Sequence, residues 1–95
     1  MCIRDSHNYL PAQAERLGIT WSNCERHNPS LIHASISGYG PAGPLKDSPG
    51  YDMLISAGYG LHSITGYPDR PGTKVGVAVT DVMCGMVCAL SLIHI

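Results

Sequence analysis

Asp81 is an acidic residue in an otherwise apolar stretch, with Val79 before it and Val82 and Met83 after it. A carboxylate in such surroundings is costly unless it is hydrogen-bonded or has a chemical task. Beside Thr80, Asp81 would lie in the first turn of a helix, where free N–H groups and the helix dipole favour negative charge. The pattern therefore allows two interpretations: Asp81 caps a helix, or its ionised carboxylate acts as a nucleophile.

A strand followed by a glycine-rich loop occupies the stretch from Asn28 to Asp52. The strand is predicted over the β-prone run 31–36, and Pro29 disfavours helical backbone at Asn28 just before it. The loop that follows alternates glycine with proline: Gly38, Gly40, Pro41, Gly43 and Pro44. Glycine permits positive φ and close approach of a ligand, so this loop is either a surface turn or a cradle of main-chain N–H groups.

Four helices are predicted to position these segments. The first covers residues 12–17 and stops at Gly18, and the second runs from Trp21 to His27 after Thr20 as its cap. A third is expected from Asp52, with apolar residues at three- and four-residue steps that would form one buried stripe: Leu54, Ala57, Leu61 and Ile64. Residues 74–79 are expected to be extended, and an apolar helix should cover 82–90.

Composition and charge limit the function classes. With 95 residues the chain is at most one small domain, and a formal charge of −1 provides no basic surface for nucleic acid. The apolar stretch 82–95 is shorter than the ~18–20 residues that span a membrane. Four cysteines without a secretory signal or paired zinc-ligand spacing favour reduced thiols, a cytoplasmic location and no metal site: Cys2, Cys24, Cys84 and Cys88.

Three separated motifs carry a resemblance to a known family. The segments SISGYGPAGP, SPGYD and KVGVAVTD resemble the family III CoA-transferases, which include formyl-CoA transferase, carnitine CoA-transferase and 2-methylacyl-CoA racemase. The resemblance runs over residues 8–90. It implies an α/β fold, with this chain as a fragment of the Rossmann-like large domain of a ring-shaped protein that forms an interlocked homodimer. Residues 1–7 and 91–95 depart from the family pattern and are expected to be non-native tails.

The resemblance also implies roles for individual residues. Asp81 matches the family's catalytic aspartate, which in this reading forms a mixed anhydride and then an aspartyl-CoA thioester. Contacts with CoA are implied for Asn8, Tyr9, Arg16 and Leu17. A guanidinium forks onto phosphate oxygens, which makes Arg16 the best suited of these to bind CoA. Acyl-CoA and a carboxylic acid would be the substrates, with no tightly bound cofactor.

Tyr51 separates the two activities found in the family. The racemase branch carries histidine at this position to exchange a proton, whereas a tyrosine ionises only near about pH 10 and is a poor base at neutral pH. The resemblance therefore favours a transferase, with Tyr51 and its acidic neighbour Asp52 as CoA-binding residues. A racemase-type epimerase and an inactive truncated fragment remain the alternatives.

Overall fold

The computed structural model describes residues 3–95. Its elements, in chain order, are β1 (Arg4–His7), α1 (Pro11–Leu17), α2 (Trp21–His27), β2 (Ile32–Ser35), α3 (Asp52–Gly58) and α4 (Val79–Ile93). Met1 and Cys2, which belong to the predicted non-native tail, lie outside the described residues. The chain thus combines helices with a small sheet, as an α/β fold requires.

The sheet consists of β1 and β2, which run parallel. Arg4 pairs with Ile32 at one end of the ladder and His7 with Ser35 at the other. Parallel neighbours require a crossover, which α1 and α2 provide. β1 lies within the segment expected to be a non-native tail; that expectation concerns its origin and stays a prediction.

Local sequence explains the bounds of α1 and α2. Pro11 occupies the first turn of α1, where its missing N–H costs no hydrogen bond, and Gly18 ends the helix with a left-handed φ of 71°. α2 has the predicted bounds, from Trp21 to His27, and Thr20 stands at its N-cap without a capping hydrogen bond from its side chain. Instead the Thr20 hydroxyl lies 3.2 Å from that of Ser22.

The prediction for α3 was wrong in length and in the face that it buries. The helix ends at Gly58, and Gly60 takes a φ of 91° that breaks the periodic pattern before Ile64. Ile64 is 82% exposed, whereas the buried side chains of α3 belong to Asp52 and Ser56. The reason is that α3 meets α4 through hydrogen-bonding groups, so its polar face is the one turned inward.

α4 starts close to the predicted position and places Asp81 in its first turn. It continues to Ile93, beyond the predicted end at residue 90. Six of its large apolar side chains are exposed, and their three- and four-residue spacing places them on one face of the helix: Val82, Met83, Met86, Val87, Leu90 and Ile93. Across residues 3–95, the one hydrophobic side chain that counts as buried is Ala14. No helix in this range is long and apolar enough to cross a membrane.

Candidate functional site

Gly38 and Gly50 form the neck of the glycine-rich loop, the point at which its two ends come into contact. A Cβ added at Gly50 would overlap the Cα of Gly38 and lie 2.9 Å from its nitrogen, so the two backbones can meet only because both residues lack side chains. Within the loop, Gly40 and Gly43 take positive φ of 80° and 98°, which other residues rarely adopt. The two ends of the loop therefore lie against each other, one shortly after β2 and the other shortly before α3.

An open cleft of about 290 Å³ lies beyond the C-terminal ends of the two strands. His7 and Ser35, the last residues of β1 and β2, line it, and Ser37 and Gly40 extend it along the loop. In open parallel sheets, ligands bind outside the carboxyl ends of the strands. The cleft therefore occupies the position at which an α/β fold of this kind binds its ligand.

Aromatic and imidazole rings form one wall of this cleft. Tyr9 stacks on His7 with 5.9 Å between ring centroids, and His33 meets His7 edge-on at 5.1 Å. A ring nitrogen of His33 lies 3.0 Å from the carbonyl oxygen of Ile19, which fixes that ring. Burial and the nearby His33 lower the pKa of His7, while Asp5 opposes the shift. The wall is thus apolar in character and favours His7 in its neutral form.

A buried carboxylate joins the first turns of α3 and α4. Oδ1 of Asp52 accepts hydrogen bonds from the N–H of Thr80 at 2.9 Å and from its hydroxyl at 2.6 Å. Nζ of Lys74 lies 3.8 Å from Oδ2. The two Thr80 hydrogen bonds lower the pKa of Asp52, Lys74 and His62 add to the effect, and burial opposes it. Asp52 is therefore held ionised although only 7% of it is exposed.

Asp81 follows Thr80 and stands third in α4, with its side chain exposed. Within residues 3–95, its carboxylate takes part in neither a hydrogen bond nor an ion pair. The capping interaction considered for Asp81 is instead made by Asp52, which accepts the Thr80 N–H from 28 residues away in the sequence. The first turn of α4 is thereby capped without engaging the Asp81 carboxylate.

The structure brings the predicted site residues together only in part. Tyr9 lines the cleft, whereas Arg16 and Leu17 lie exposed on the last turn of α1 and do not line it. Asn8, just after β1, and Tyr51, at the N-cap of α3, are also exposed. Asp52 is the exception, because its carboxylate is turned into the chain toward Thr80.

Several residues near the site were not predicted from the sequence. Thr80 was considered only as a neighbour of Asp81, and Lys74 was given no role. Trp21 and His33 were given no role in ligand binding either, yet both line the cleft. The proline- and glycine-rich loop between them and α3 gives no periodic signal that could have indicated these contacts. Throughout the described range, no group of three or more His, Cys, Asp or Glu side chains is arranged to hold a metal ion.

The parallel strand pair with its crossover helices defines a segment of an α/β fold, and comparison with known proteins gives its family. The sequence model of CoA-transferase family III matches residues 6–94. The chain therefore belongs to CoA-transferase family III, a family of enzymes.

Curated relatives and solved structures agree with this membership. The chain is 38% identical to the acetyl-CoA:oxalate CoA-transferase of Acetobacter aceti over 89 residues, which is 90% of this chain and 23% of that protein. It is also 38% identical to the succinyl-CoA:glutarate CoA-transferase of Mus musculus over 79 residues, 83% of this chain and 18% of that protein. The chain thus spans only about a fifth of the length of these relatives.

Solved structures show the same relationship in three dimensions. A CaiB/BaiF family protein from Brucella suis superposes with a TM-score of 0.90 at 30% identity, over 97% of this chain and 24% of that one. A protein from Mycobacterium tuberculosis gives a TM-score of 0.84 at 25% identity, over 96% of this chain and 26% of that one. The arrangement of strands and helices described above is therefore that of the corresponding region in this family.

Proposed function

We propose that this chain carries the nucleophile and part of the CoA-binding surface of a longer enzyme that transfers coenzyme A between carboxylic acids. Relatives named as oxalate, glutarate and citramalate CoA-transferases support the reaction class. The observation that carries the assignment of the nucleophile is local: Asp81 lies exposed at the positive end of α4, while Asp52 provides the cap.

The proposed reaction begins with attack of an Asp81 carboxylate oxygen on the thioester carbonyl of acyl-CoA. This forms a mixed anhydride and releases CoA thiolate. The thiolate then attacks the aspartyl carbonyl, which forms an aspartyl-CoA thioester and releases the donor acid as its carboxylate. The acceptor carboxylate attacks this thioester to give a second anhydride, and the released thiolate attacks its acyl carbonyl. A new acyl-CoA leaves and the Asp81 carboxylate is restored.

Each attack in this sequence develops negative charge on a carbonyl oxygen. Main-chain N–H groups at a helix N-terminus or in a glycine-rich loop stabilise such an oxyanion without rearrangement. α4 offers the first kind of donor next to Asp81, and the loop after β2 offers the second kind. The reaction keeps the thioester energy throughout, so it calls for no tightly bound cofactor beyond the CoA substrate.

The remaining site residues are proposed as contacts with the CoA part of the substrate. Arg16 would bind phosphate, because its guanidinium is exposed on the last turn of α1. Tyr9 would cover a face of the ligand in the cleft, Asn8 and Leu17 would add contacts outside the cleft, and Tyr51 would lie toward the thioester. A tyrosine at residue 51 also argues against a racemase, since that reaction needs a base at neutral pH.

The proposal extends to the whole protein. The parent would contain a Rossmann-like large domain, form an interlocked homodimer and work in the cytoplasm. The two-stranded parallel sheet with its crossover helices supports the first point, because it is the unit from which such domains are built. The other two points rest on the family membership.

Replacing Asp81 by asparagine in the full-length transferase tests the function. Asp81→Asn preserves shape but removes the nucleophilic oxygen, so transfer should fall by about 1,000-fold or more while CoA affinity changes little. Asp69→Asn is the matched control, since Asp69 lies exposed in the loop after α3. Hydroxylamine added during turnover should attack the activated aspartyl carbonyl, displace CoA or the donor acid and leave a hydroxamate on Asp81, located by mass spectrometry. Turnover by Asp81→Asn at the wild-type rate would exclude Asp81 as the nucleophile and would favour another mechanism.

A further inference from the structure

The contact between Asp52 and Thr80 lies directly beside the proposed nucleophile. A single carboxylate oxygen of Asp52 accepts both donors of Thr80, the N–H at 2.9 Å and the hydroxyl at 2.6 Å. We propose that Asp52 is a positioning residue that fixes the first turn of α4 so that Asp81 meets the thioester in the reactive orientation. This inference rests on the proposed function and assigns Asp52 to positioning instead of direct contact with CoA.

Two donors from one residue restrain more than one donor would. The N–H bond fixes the main chain of Thr80, and the hydroxyl bond fixes its side-chain rotamer. The Cα of Asp81 follows across one peptide bond, about 3.8 Å away. A shift of Thr80 is therefore passed directly to the backbone that carries Asp81, and a displacement of about 1 Å of a catalytic group can lower a rate about 100-fold.

The Asp52 carboxylate is itself held in place on the α3 side. It is 7% exposed, and Lys74 lies 3.8 Å from the oxygen that Thr80 does not use. One turn further along α3, Ser56 is 3% exposed and donates its hydroxyl to the Asp52 carbonyl oxygen at 2.6 Å. His62 lies 3.0 Å from the same hydroxyl. A carboxylate fixed in this way can orient a neighbouring element instead of merely following it.

Burial separates this arrangement from an ordinary surface cap. An exposed cap exchanges easily with water, so its removal changes helix stability by only about 1 kcal/mol. The Asp52–Thr80 contact joins two helices through residues 28 positions apart in sequence, and its Asp52 side is buried. Its loss should therefore alter where α4 starts relative to α3, in addition to how firmly α4 is formed.

Thr80→Val in the full-length transferase is the direct test, because valine keeps the shape and removes only the hydroxyl donor. We expect kcat to fall about 10- to 100-fold, the range for a lost hydrogen bond to a charged group, while Kd for CoA stays within about twofold. Thr80→Ser should restore most of kcat. Thr65→Val is the matched control: it also removes a hydroxyl bond, 2.7 Å to the carbonyl oxygen of Leu61, but this bond lies within the loop that follows α3 and does not involve α4.

A purely structural role gives a different result. In that case Thr80→Val and Thr65→Val would both lower the midpoint of thermal unfolding, and kcat per folded molecule would stay at the wild-type value for both, which overturns the proposal. Asp52→Asn and Asp52→Ala add an independent comparison, since the asparagine oxygen can still accept both Thr80 bonds. Retention of more activity by Asp52→Asn than by Asp52→Ala supports positioning, and equal loss in both contradicts it.

The experiments distinguish failure of the positioning role of Asp52 from failure of the proposed transferase function. If Asp81→Asn is inactive and hydroxylamine marks Asp81, but Thr80→Val turns over at the wild-type rate, the function stands and positioning by Asp52 is wrong. If Asp81→Asn is active, both proposals are overturned together. If Thr80→Val forms the hydroxamate at Asp81 more slowly in step with its lower kcat, the Asp52–Thr80 contact acts through Asp81 as proposed.

Discussion

Gly50→Ala should damage the candidate site although residue 50 need not touch the substrate. A Cβ at this position would overlap the Cα of Gly38, with the Gly38 nitrogen at 2.9 Å and its carbonyl carbon at 3.4 Å. Carbon atoms pack at about 3.5–4.0 Å, so the two backbones would have to separate by about 1 Å or more. The neck of the loop would then open, because both partners in the contact are main chain and cannot rotate away.

The size of the effect follows from this displacement. Overpacking of a close contact costs about 1–3 kcal/mol in the free energy of unfolding. The opened neck would also shift Gly40 at the cleft and Tyr51 at the start of α3, and a displacement of about 1 Å at a reacting group can cost about 100-fold in rate. We therefore expect both a lower midpoint of unfolding and a lower kcat/KM for CoA transfer.

The assay compares alanine variants of the full-length transferase by CoA transfer and by thermal unfolding. Gly76→Ala is the matched control, because among residues 3–95 nothing beyond its chain neighbours lies within 4 Å of a Cβ there and its φ is not positive. Gly38→Ala and Gly50→Ala together should cost less than the sum of the single changes, since one opened neck accommodates both methyl groups. Turnover and unfolding of Gly50→Ala at the level of Gly76→Ala would refute the reasoning.

Two further outcomes are expected. Arg16→Ala should raise KM for acyl-CoA about 10- to 100-fold with kcat retained, which is the loss typical of a charge-assisted contact with phosphate. Arg26 is exposed on α2, and Arg26→Ala should leave both constants unchanged. Equal effects of the two substitutions would remove Arg16 from the CoA site. The lowered pKa of Asp52 means that its contribution to stability is complete above the ordinary aspartate pKa of about 3.9 and is lost as the pH falls through the lower pKa of the folded state. In Asp52→Asn the free energy of unfolding, measured by denaturant titration, should therefore fall less steeply as the pH is lowered from about 5 to about 2. The same pH dependence in Asp52→Asn and wild type would contradict a buried ionised carboxylate at Asp52.

The parts of the fold that were predicted from the sequence are those set by neighbouring residues. α1 begins one residue before its expected start and ends as expected, because Pro11 and Gly18 act locally, and α2 has its expected bounds. The start of α4 near Thr80 and the strand after Pro29 were also indicated by local patterns. The parallel pairing of β1 was not, because the run Arg4–His7 has no apolar alternation and becomes a strand only through its ladder with β2.

The sequence indicated candidate residues for the site but not the contacts between them. Asp81 was singled out by its apolar surroundings and by the family motif, and its place in the first turn of α4 is confirmed. The capping partner of that turn is Asp52, which lies 28 residues earlier, and no periodicity in the intervening loops records such a distance. For the same reason the stripe from Leu54 to Ile64 was misread: the side of α3 that is buried was chosen by this polar contact and not by hydropathy.

The scarcity of buried apolar side chains bears on the calorimetry of the 95-residue chain taken by itself. Unfolding of an ordinary domain raises the heat capacity by about 12–15 cal/mol/K per residue, mainly because apolar groups become hydrated. Here Ala14 is the one apolar residue that is buried within 3–95, and six large apolar side chains of α4 already face solvent in the folded form. The heat-capacity step should therefore be far smaller than about 1.1–1.4 kcal/mol/K, the value expected for this length. With so little curvature, the stability of the chain would change slowly with temperature, and its structure would be lost over a broad interval without a sharp absorption peak.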